Sequence, residues 1–453
     1  MATISPVSTD PADVAVDKDA GHGVSPLLAW LGLGILLLLA FVAFLDRQII
    51  SLMVNMIKVD LAIEDSHIGI LQGAAFGLAY PLFAVPLGYA ADRYSRRWVI
   101  FFGVLFWSVA AVASGLAGSF DTLLAARIGV GIGEAALQPA AASLISDIFP
   151  RKRLATAFSI YSTGSLMGSA GALAIGGAVI TWAGTGVDFP LLGHLAPWQV
   201  AFVVTGLPAT FCAFLVFLIP EPKRRRAAKG GAGAAPWSEV FAFIRRNWLF
   251  LACYLGGFSS LLLVTWGALA WMPAILERVY GWSIAQVGAT LGLFTLLMGV
   301  PGQLTNGAVV DRIFTRHRDA HLRYYAFACI AIAILGAAAP FAQSAWLYLV
   351  LLGPTKFLMN YGGVQIATLQ VVTPAAMRGR MTALAGIVSS LLGGTLGPSI
   401  VAFFTDQVFR DENKVGLSLG ATFAIFVPLA GVLFWIGMKP MRAAAERAIA
   451  AEA

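Results

Sequence analysis

Charge is the scarcest commodity in this sequence. Asp, Glu, Lys and Arg together make up 12% of 453 residues, about half of what a water-facing globular surface of this size needs. A soluble globular protein is therefore excluded, and much of the outer surface must face lipid. Cysteine and histidine are nearly absent, at 3 and 5 residues. Cys212, Cys253 and Cys329 lie inside apolar runs, which argues against a disulfide framework, and no metal-ligand spacing exists. No phosphate-binding loop, phosphorylated-Asp motif or sizeable soluble domain occurs, which argues against a primary pump. The scattered histidines and buried cysteines offer no nucleophile set, so an enzyme is not expected, and neither is a cofactor.

What is abundant is hydrophobic length. Mean hydropathy is +0.81, and apolar runs of about 20 residues recur, matching the hydrocarbon thickness of a bilayer. They lack period-two alternation, so helices rather than barrel strands are expected. Twelve spans are read near 26–56, 67–90, 97–117, 120–145, 154–183, 198–219, 247–276, 284–309, 322–342, 345–372, 379–405 and 416–438. Residues 1–25 are polar and acidic and read as a disordered tail. Residues 220–246 read as a basic linker, with Glu221-Pro222-Lys223-Arg224-Arg225-Arg226 at its start, and 439–453 as a tail. The linker divides the chain into six-helix bundles at 26–219 and 247–438.

The placement of basic residues sets an expected orientation. Of 30 Lys and Arg residues, 23 fall in the two tails and in loops on one side. Only Lys58, Arg278, Arg410 and Lys414 fall in the opposite loops. By the positive-inside rule both termini are cytoplasmic. Because the charges punctuate hydrophobic runs, a membrane rather than nucleic acid is the expected partner.

The halves echo one another. Gly88-Tyr-Ala-Ala-Asp92-Arg93-Tyr-Ser-Arg96-Arg97 is matched 219 residues later by Gly307-Ala-Val-Val-Asp311-Arg312-Ile-Phe-Thr-Arg316. Phe149-Pro150-Arg151-Lys152-Arg153 is matched 224 residues later by Thr373-Pro374 and Arg378-Gly-Arg380. Two matches at nearly one offset imply parallel repeats related by an axis along the membrane normal. In the first loop, Gly88 permits close helix approach. Asp92 suits the positive N-terminal end of the eleventh helix near Gly379, and Arg96 and Arg97 suit Asp147. Gly88, Asp92, Arg93, Arg96, Arg97 and Asp147 are thus the expected cytoplasmic gate. The alternative is that these charges only set topology.

Deep ionisable residues cost about 2.5–3.5 kcal/mol each on insertion scales and are functional candidates by default. They are Asp46 and Arg47 in span one, Arg127 and Glu134 in span four, and Lys356 in span ten. Asp46 and Arg47 point about 100° apart on a helix, whereas Arg127 and Glu134 share a face. A carboxylate there loses charge preference through burial and regains it from a nearby arginine, which makes Asp46 and Glu134 the expected proton-coupling residues. Tyr254, Trp266, Asn360, Tyr361 and Gln365 in spans seven and ten read as candidate cavity walls, with Arg47, Arg127 and Lys356 as the cations. Lys356 has the alternative of snorkelling outward.

The Gly88–Arg97 loop resembles the signature loop of the major facilitator superfamily, as does Arg127-Ile-Gly-Val-Gly-Ile-Gly133-Glu134. The resemblance implies an all-α fold of twelve spans in two pseudo-symmetric bundles, with spans one and four facing a central cavity. That joins Asp46, Arg47, Arg127 and Glu134 into one charge-neutral network. Phe44-Leu45-Asp46-Arg47-Gln48 and Ile68-Gly69-Ile70-Leu71-Gln72 are similar to the Spinster branch, whose members export lysophospholipids or sphingosine phosphate. This implies a proton-coupled carrier of an amphiphilic or anionic small molecule. Arg47 would hold the anionic head and Asp46 would couple the proton. An organic-anion symporter for sugar acids or carboxylates and a multidrug efflux carrier remain open, with a channel or receptor as a further class. A monomer is expected.

Overall fold

The computed structural model describes residues 25–190, 193–222, 236–374 and 377–452. Residues 1–24 of the expected tail and 223–235 of the expected linker lie outside this set. Among the described residues, eleven helices are long and apolar enough to cross a membrane: Pro26–Leu52, Asp65–Arg93, Arg96–Gly115, Phe120–Ile148, Thr156–Ala183, Pro197–Leu218, Trp248–Arg278, Ile284–Phe314, Ala320–Phe341, Arg378–Phe409 and Glu412–Ala448. The tenth span is divided into Ala345–Leu358 and Gly362–Val372. Neither piece alone reaches the roughly 20 residues a crossing needs; together they complete twelve spans.

The spans form two bundles. In the first, span one packs on span five, and span three on four and six. In the second, span seven packs on eleven and twelve, and span nine on ten and twelve. Two long seams join the bundles, five against eight and two against eleven. Shifting each number by six exchanges these seams, as expected of parallel repeats. Small residues make the seams close. A Cβ on Gly69 of span two would stand 3.0 Å from Ala402, and one on Gly292 of span eight 3.0 Å from Ala170 O. Without a hydrophobic drive between helices in lipid, such close backbone approach supplies the packing.

Spans one and ten break in midcourse at points capped by a polar side chain from a neighbouring span; span four also leaves helical geometry, at Ala135–Ala136. Span one leaves α-helical geometry after Gln48 for a tighter turn at Ile49–Leu52 and resumes at Val54–Leu61. The carbonyls of Asp46 and Arg47 are then short of helical donors. Arg127 donates to both, at 3.0 and 3.2 Å. In span ten, buried Asn306 of span eight donates to Phe357 O, Leu358 O and Asn360 O at 2.9, 3.3 and 3.2 Å. Tyr324 in turn fixes Asn306 by donating to its Oδ1 at 2.8 Å. Irregular backbone at membrane depth is tolerated only when it is satisfied in this way.

Three segments differ from the sequence reading. The end of the expected linker is a helix, Trp237–Arg246, with Glu239 near its start and Arg245 and Arg246 at its end, the charge order a helix dipole favours. The expected tail at 439–453 continues the last helix to Glu452, because its Ala, Arg and Glu are strong helix formers. Arg442 and Arg447 tie it to Asp319 and Asn247 at 3.0 and 2.9 Å. A short antiparallel hairpin, Val187–Phe189 with Gly193–Leu195, joins spans five and six.

Replacing Asn306 by Ala removes the side-chain donor from three carbonyls at the span-ten break, of which Phe357 O keeps the Asn360 N–H at 3.5 Å. The expected cost is about 1–3 kcal/mol, visible as a lower thermal unfolding midpoint in detergent. An unchanged midpoint would show that the break does not depend on this side chain.

Candidate functional site

The break in span one separates its two adjacent charged side chains. Arg47 leaves bundle one toward the space between the bundles. Its Nη2 and Nε donate to Glu134 Oε2 at 2.6 and 3.2 Å. The guanidinium carbon lies 3.6 Å from the Phe76 ring centroid, 4.6 Å from Phe44 and 5.4 Å from Tyr80, so the cation has aromatic faces as well as a counter-ion. The Arg47 side chain is 13% exposed, against 1% for Glu134; the arginine therefore meets the cavity and the glutamate stands behind it. Glu134 Oε1 has no hydrogen-bond donor among the described residues.

Asp46 points the other way, into bundle one. Both its carboxylate oxygens are buried without a donor among the described residues. Thr205 and Trp107 flank it, but the Thr205 hydroxyl donates to Ala201 O at 2.8 Å, and Trp107 Nε1 is unpaired. Arg127 is buried and bound to the backbone of span one. The expected network of four is thus an ion pair on the cavity, Arg47 with Glu134, in front of a backbone cap, Arg127, and a secluded carboxyl, Asp46.

Arg47 borders two cavities. One of about 540 Å³ lies within bundle one, with Tyr80, Glu134, Gln138 and Tyr161 on its wall. The other, of about 550 Å³, lies between the bundles, where Gln72 and Phe76 face Trp266, Ser390 and Gly394. Tyr80 donates to Gln138 Oε1 at 2.7 Å across their shared wall. A third cavity, bordered by a different face of span seven, has Lys356 on its wall.

Of the expected binding residues, Arg47, Trp266 and Lys356 line these cavities, and five do not. Arg127 is spent on the span-one carbonyls. Tyr254 donates to Gln365 O at 3.0 Å and stacks with Phe250 and Phe258. Gln365 donates to Ser389 at 3.2 Å, joining spans ten and eleven. Tyr361 is buried against Phe258 and Tyr325. Asn360 donates to Lys356 O at 2.6 Å. Apart from Tyr361, whose hydroxyl has no hydrogen-bond partner among the described residues, the polar groups that suggested a cavity wall satisfy the packed helices.

The two faces of the molecule are in different states. At the face away from the termini, ion pairs bridge the bundles. Arg278 of bundle two donates to both carboxylate oxygens of Asp65 at 2.7 and 2.9 Å and to Asn55 at 2.6 Å. Lys58 lies 2.8 Å from both Asp65 and Glu412. Asp406 accepts the Ser66 N–H at 2.6 Å. At the terminal face, Asp92 and Arg93 are exposed; Arg93 donates to Tyr89 at 2.7 Å. Asp92 has no hydrogen bond to a described residue, and a Cβ on Gly379 would meet open space. The expected Asp92 latch is therefore apart in this conformation.

The rest of the loop clamps bundle one internally. Gly88 brings span two close to Pro139, to which a Cβ would stand at 3.6 Å. Arg96 pairs with Asp147 and donates to Pro222 O at 2.8 Å and to Ser143 at 3.2 Å. Arg97 approaches Glu221, not Asp147, at 3.9 Å. Glu221 accepts from Ser95 and the Arg96 N–H at 2.6 Å each. Burial alone would push the Glu221 carboxyl up, but these donors outweigh it and hold it below the usual carboxylate range. The clamp therefore stands at neutral pH and weakens only as pH falls through that lowered value.

Four important residues escaped the sequence reading: Asn306, Glu221, Arg278 and Asp65. A lone amide in an apolar span was the available signal for Asn306. The others sit at span ends, where charges are ordinary.

The sequence model of the Major Facilitator Superfamily matches residues 36–398. The chain is 24% identical to an MFS-type efflux pump of Mycolicibacterium smegmatis over 94% of this chain and 97% of that protein. It is 27% identical to Protein spinster homolog 1 of Xenopus tropicalis, over 82% and 71%. It is 26% identical to a probable L-galactonate transporter of Escherichia coli, over 87% and 88%. The crystal structure of a bacterial homolog of the human lysosomal transporter Spinster, inward-facing and unoccupied, superposes with a TM-score of 0.77 at 23% identity, covering 94% of this chain and 99% of that one.

Asp65→Asn removes the shared partner of Arg278 and Lys58. Breaking so buried a pair costs about 3–5 kcal/mol, enough to reverse a two-state population. Spin labels at positions 64 and 407 should then move apart in double electron–electron resonance of protein in nanodiscs. An unaltered distance distribution would show that this cluster does not hold the bundles together.

Proposed function

The chain belongs to the major facilitator superfamily, and from that premise we propose that it is a proton-coupled carrier of an anionic or amphiphilic small molecule, monomeric in the inner membrane with both termini cytoplasmic. It is a multi-pass membrane transporter; coupling, substrate and sidedness are the proposed part. The observation that carries the reading is the Arg47–Glu134 pair at 2.6 Å on the cavity wall, with the arginine outermost.

An anion entering the cavity competes with Glu134 for Arg47. If it takes the guanidinium, Glu134 loses its counter-ion in an apolar setting and is driven to accept a proton. When the anion leaves, Glu134 recovers Arg47 and releases the proton. Anion and proton therefore travel together in this scheme. Asp46 is the second proton-coupling residue: secluded behind span one, it shares the field of Arg127 and Glu134. The gradient then drives alternating access, with the bridged face and the parted face exchanging states. The relatives named for L-galactonate and sulfoacetate, both anions, support an anionic substrate. The likeness to Spinster proteins supports the amphiphilic alternative, lysophospholipid or sphingolipid-like. The efflux-pump relative keeps a drug substrate as a second reading.

In proteoliposomes offered labelled L-galactonate or lysophosphatidate, Glu134→Gln should lower pH-gradient-driven accumulation about tenfold or more, a loss of at least 1.4 kcal/mol, while exchange without a gradient persists. Asp46→Asn should behave alike. Full gradient-driven accumulation by both variants would remove these carboxyls from the coupling role. High ion conductance without exchange would favour a channel instead.

A further inference from the structure

Bundle two holds one deep charge that no other residue balances. In bundle one, Asp46, Arg47, Arg127 and Glu134 sum to zero. Within spans seven to twelve, all other charged residues lie near span ends, and Lys356 stands alone at depth. Its ammonium makes no ion pair or hydrogen bond with any described residue. An isolated ammonium in such surroundings is costly. It sits in the last turn of the helix Ala345–Leu358, whose carbonyl end favours a cation, but a helix end does not replace a counter-ion.

The cavity beside it explains what that counter-ion is. Lys356 faces a largely apolar cavity walled by Leu291, Phe294, Met272, Met359 and Phe423. The cavity's hydroxyls are mostly turned away. Thr265 donates to Leu261 O at 2.8 Å and Thr355 to Leu352 O at 2.7 Å, each within its own helix. Besides the Lys356 ammonium, only Thr295 among the lining hydroxyls has a donor not already used within its helix. A polyhydroxylated anion would bring many donors and acceptors into this space and leave them unpaired, which is strongly disfavoured. Leu173 of span five contributes to the wall, so the cavity also touches the moving seam with bundle one.

We propose that Lys356 is the anion-holding residue of a second binding compartment, separate from the Arg47 cavity, and that this compartment takes an amphiphilic monoanion whose head meets Nζ and whose apolar body fills the Phe294–Met359 space. The proposal rests on the carrier reading for its role in transport, but it concerns binding and is tested as such. It selects among the substrates left open above: an anion with an apolar body fits this compartment, and a sugar acid does not.

The test is equilibrium binding to the purified full chain in nanodiscs, with empty nanodiscs subtracted, using decanoate, decyltrimethylammonium and gluconate as probes. Lys356→Gln should weaken decanoate binding about tenfold or more, Lys356→Arg should restore most of it, and decyltrimethylammonium should not bind less tightly to Lys356→Gln. Gluconate should not bind at concentrations that saturate with decanoate. A thermal unfolding midpoint for Lys356→Gln at or above that of the unaltered chain separates loss of binding from loss of fold. Lys356→Met serves as a second charge-free variant if Lys356→Gln is unstable. Unchanged decanoate affinity in Lys356→Gln would overturn the proposal. So would decanoate binding lost in Arg47→Gln but kept in Lys356→Gln, which would place the anion on the first cavity and leave the carrier reading standing. Gluconate binding that depends on Lys356 would overturn the apolar part.

Discussion

Arg127 donates to the carbonyls of Asp46 and Arg47, and the first bundle's site is built around that contact. Lipid offers no donor to a released carbonyl. Span one can therefore tighten after Gln48 only because a guanidinium from span four stands where the missing amides would be. The tightening fixes the rotation of span one at its charged dipeptide, so that Arg47 turns out to Glu134 and the cavity while Asp46 turns in. The cation that looked like a binding residue is the one that aims the binding residue.

Bundle two repeats the device with different chemistry. Its capping side chain is the neutral Asn306, and the broken helix is span ten. A charged cap brings its counter-charges along, and bundle one accordingly holds two carboxyls close to two arginines. A neutral cap needs none, and the same depth of bundle two is left with one ammonium. The pseudo-symmetry of the backbone thus supports an asymmetry of charge. One bundle is internally neutral, and the other presents an uncompensated cation to an apolar space.

Length and hydropathy made the architecture legible: twelve runs, two matching halves, and loops whose motifs repeat at a nearly constant offset. The candidate site was legible only in part. That Asp46 and Arg47 must diverge follows from helical geometry; which of them meets the cavity depends on a local change of helix type that hydrophobic pattern does not encode. Arg127 and Glu134 do share a face by spacing, yet one is drawn to backbone and the other to a side chain. Tyr254, Asn360 and Gln365 are drawn into helix packing for a common reason. Polar groups in an apolar span must find partners whether or not they bind ligand, and composition cannot tell a partner across a helix seam from a partner in a cavity. The span-ten break was hidden because its cap comes from a residue more than fifty positions earlier.

The distribution of ionic contacts also says where a transition between states is feasible. Arg278, Lys58, Asp65 and Glu412 join the bundles at an end of the spans, where water can replace each lost partner as the face opens. Arg96, Asp147 and Glu221 stay within bundle one and need not part at all. Arg47 and Glu134 lie deeper, where separation without a substitute would leave charge in hydrocarbon; in the cycle proposed above an anion and a proton take their places. Away from the Asp406–Ser66 contact at the span ends, the small-residue seams between spans two and eleven and between five and eight hold no ion pair among the described residues and can slide or tilt at little electrostatic cost. In the proposed cycle, rehydratable pairs at the face, a substitutable pair at the centre and seams without ion pairs together tie movement of the bundles to exchange of the cavity's charge.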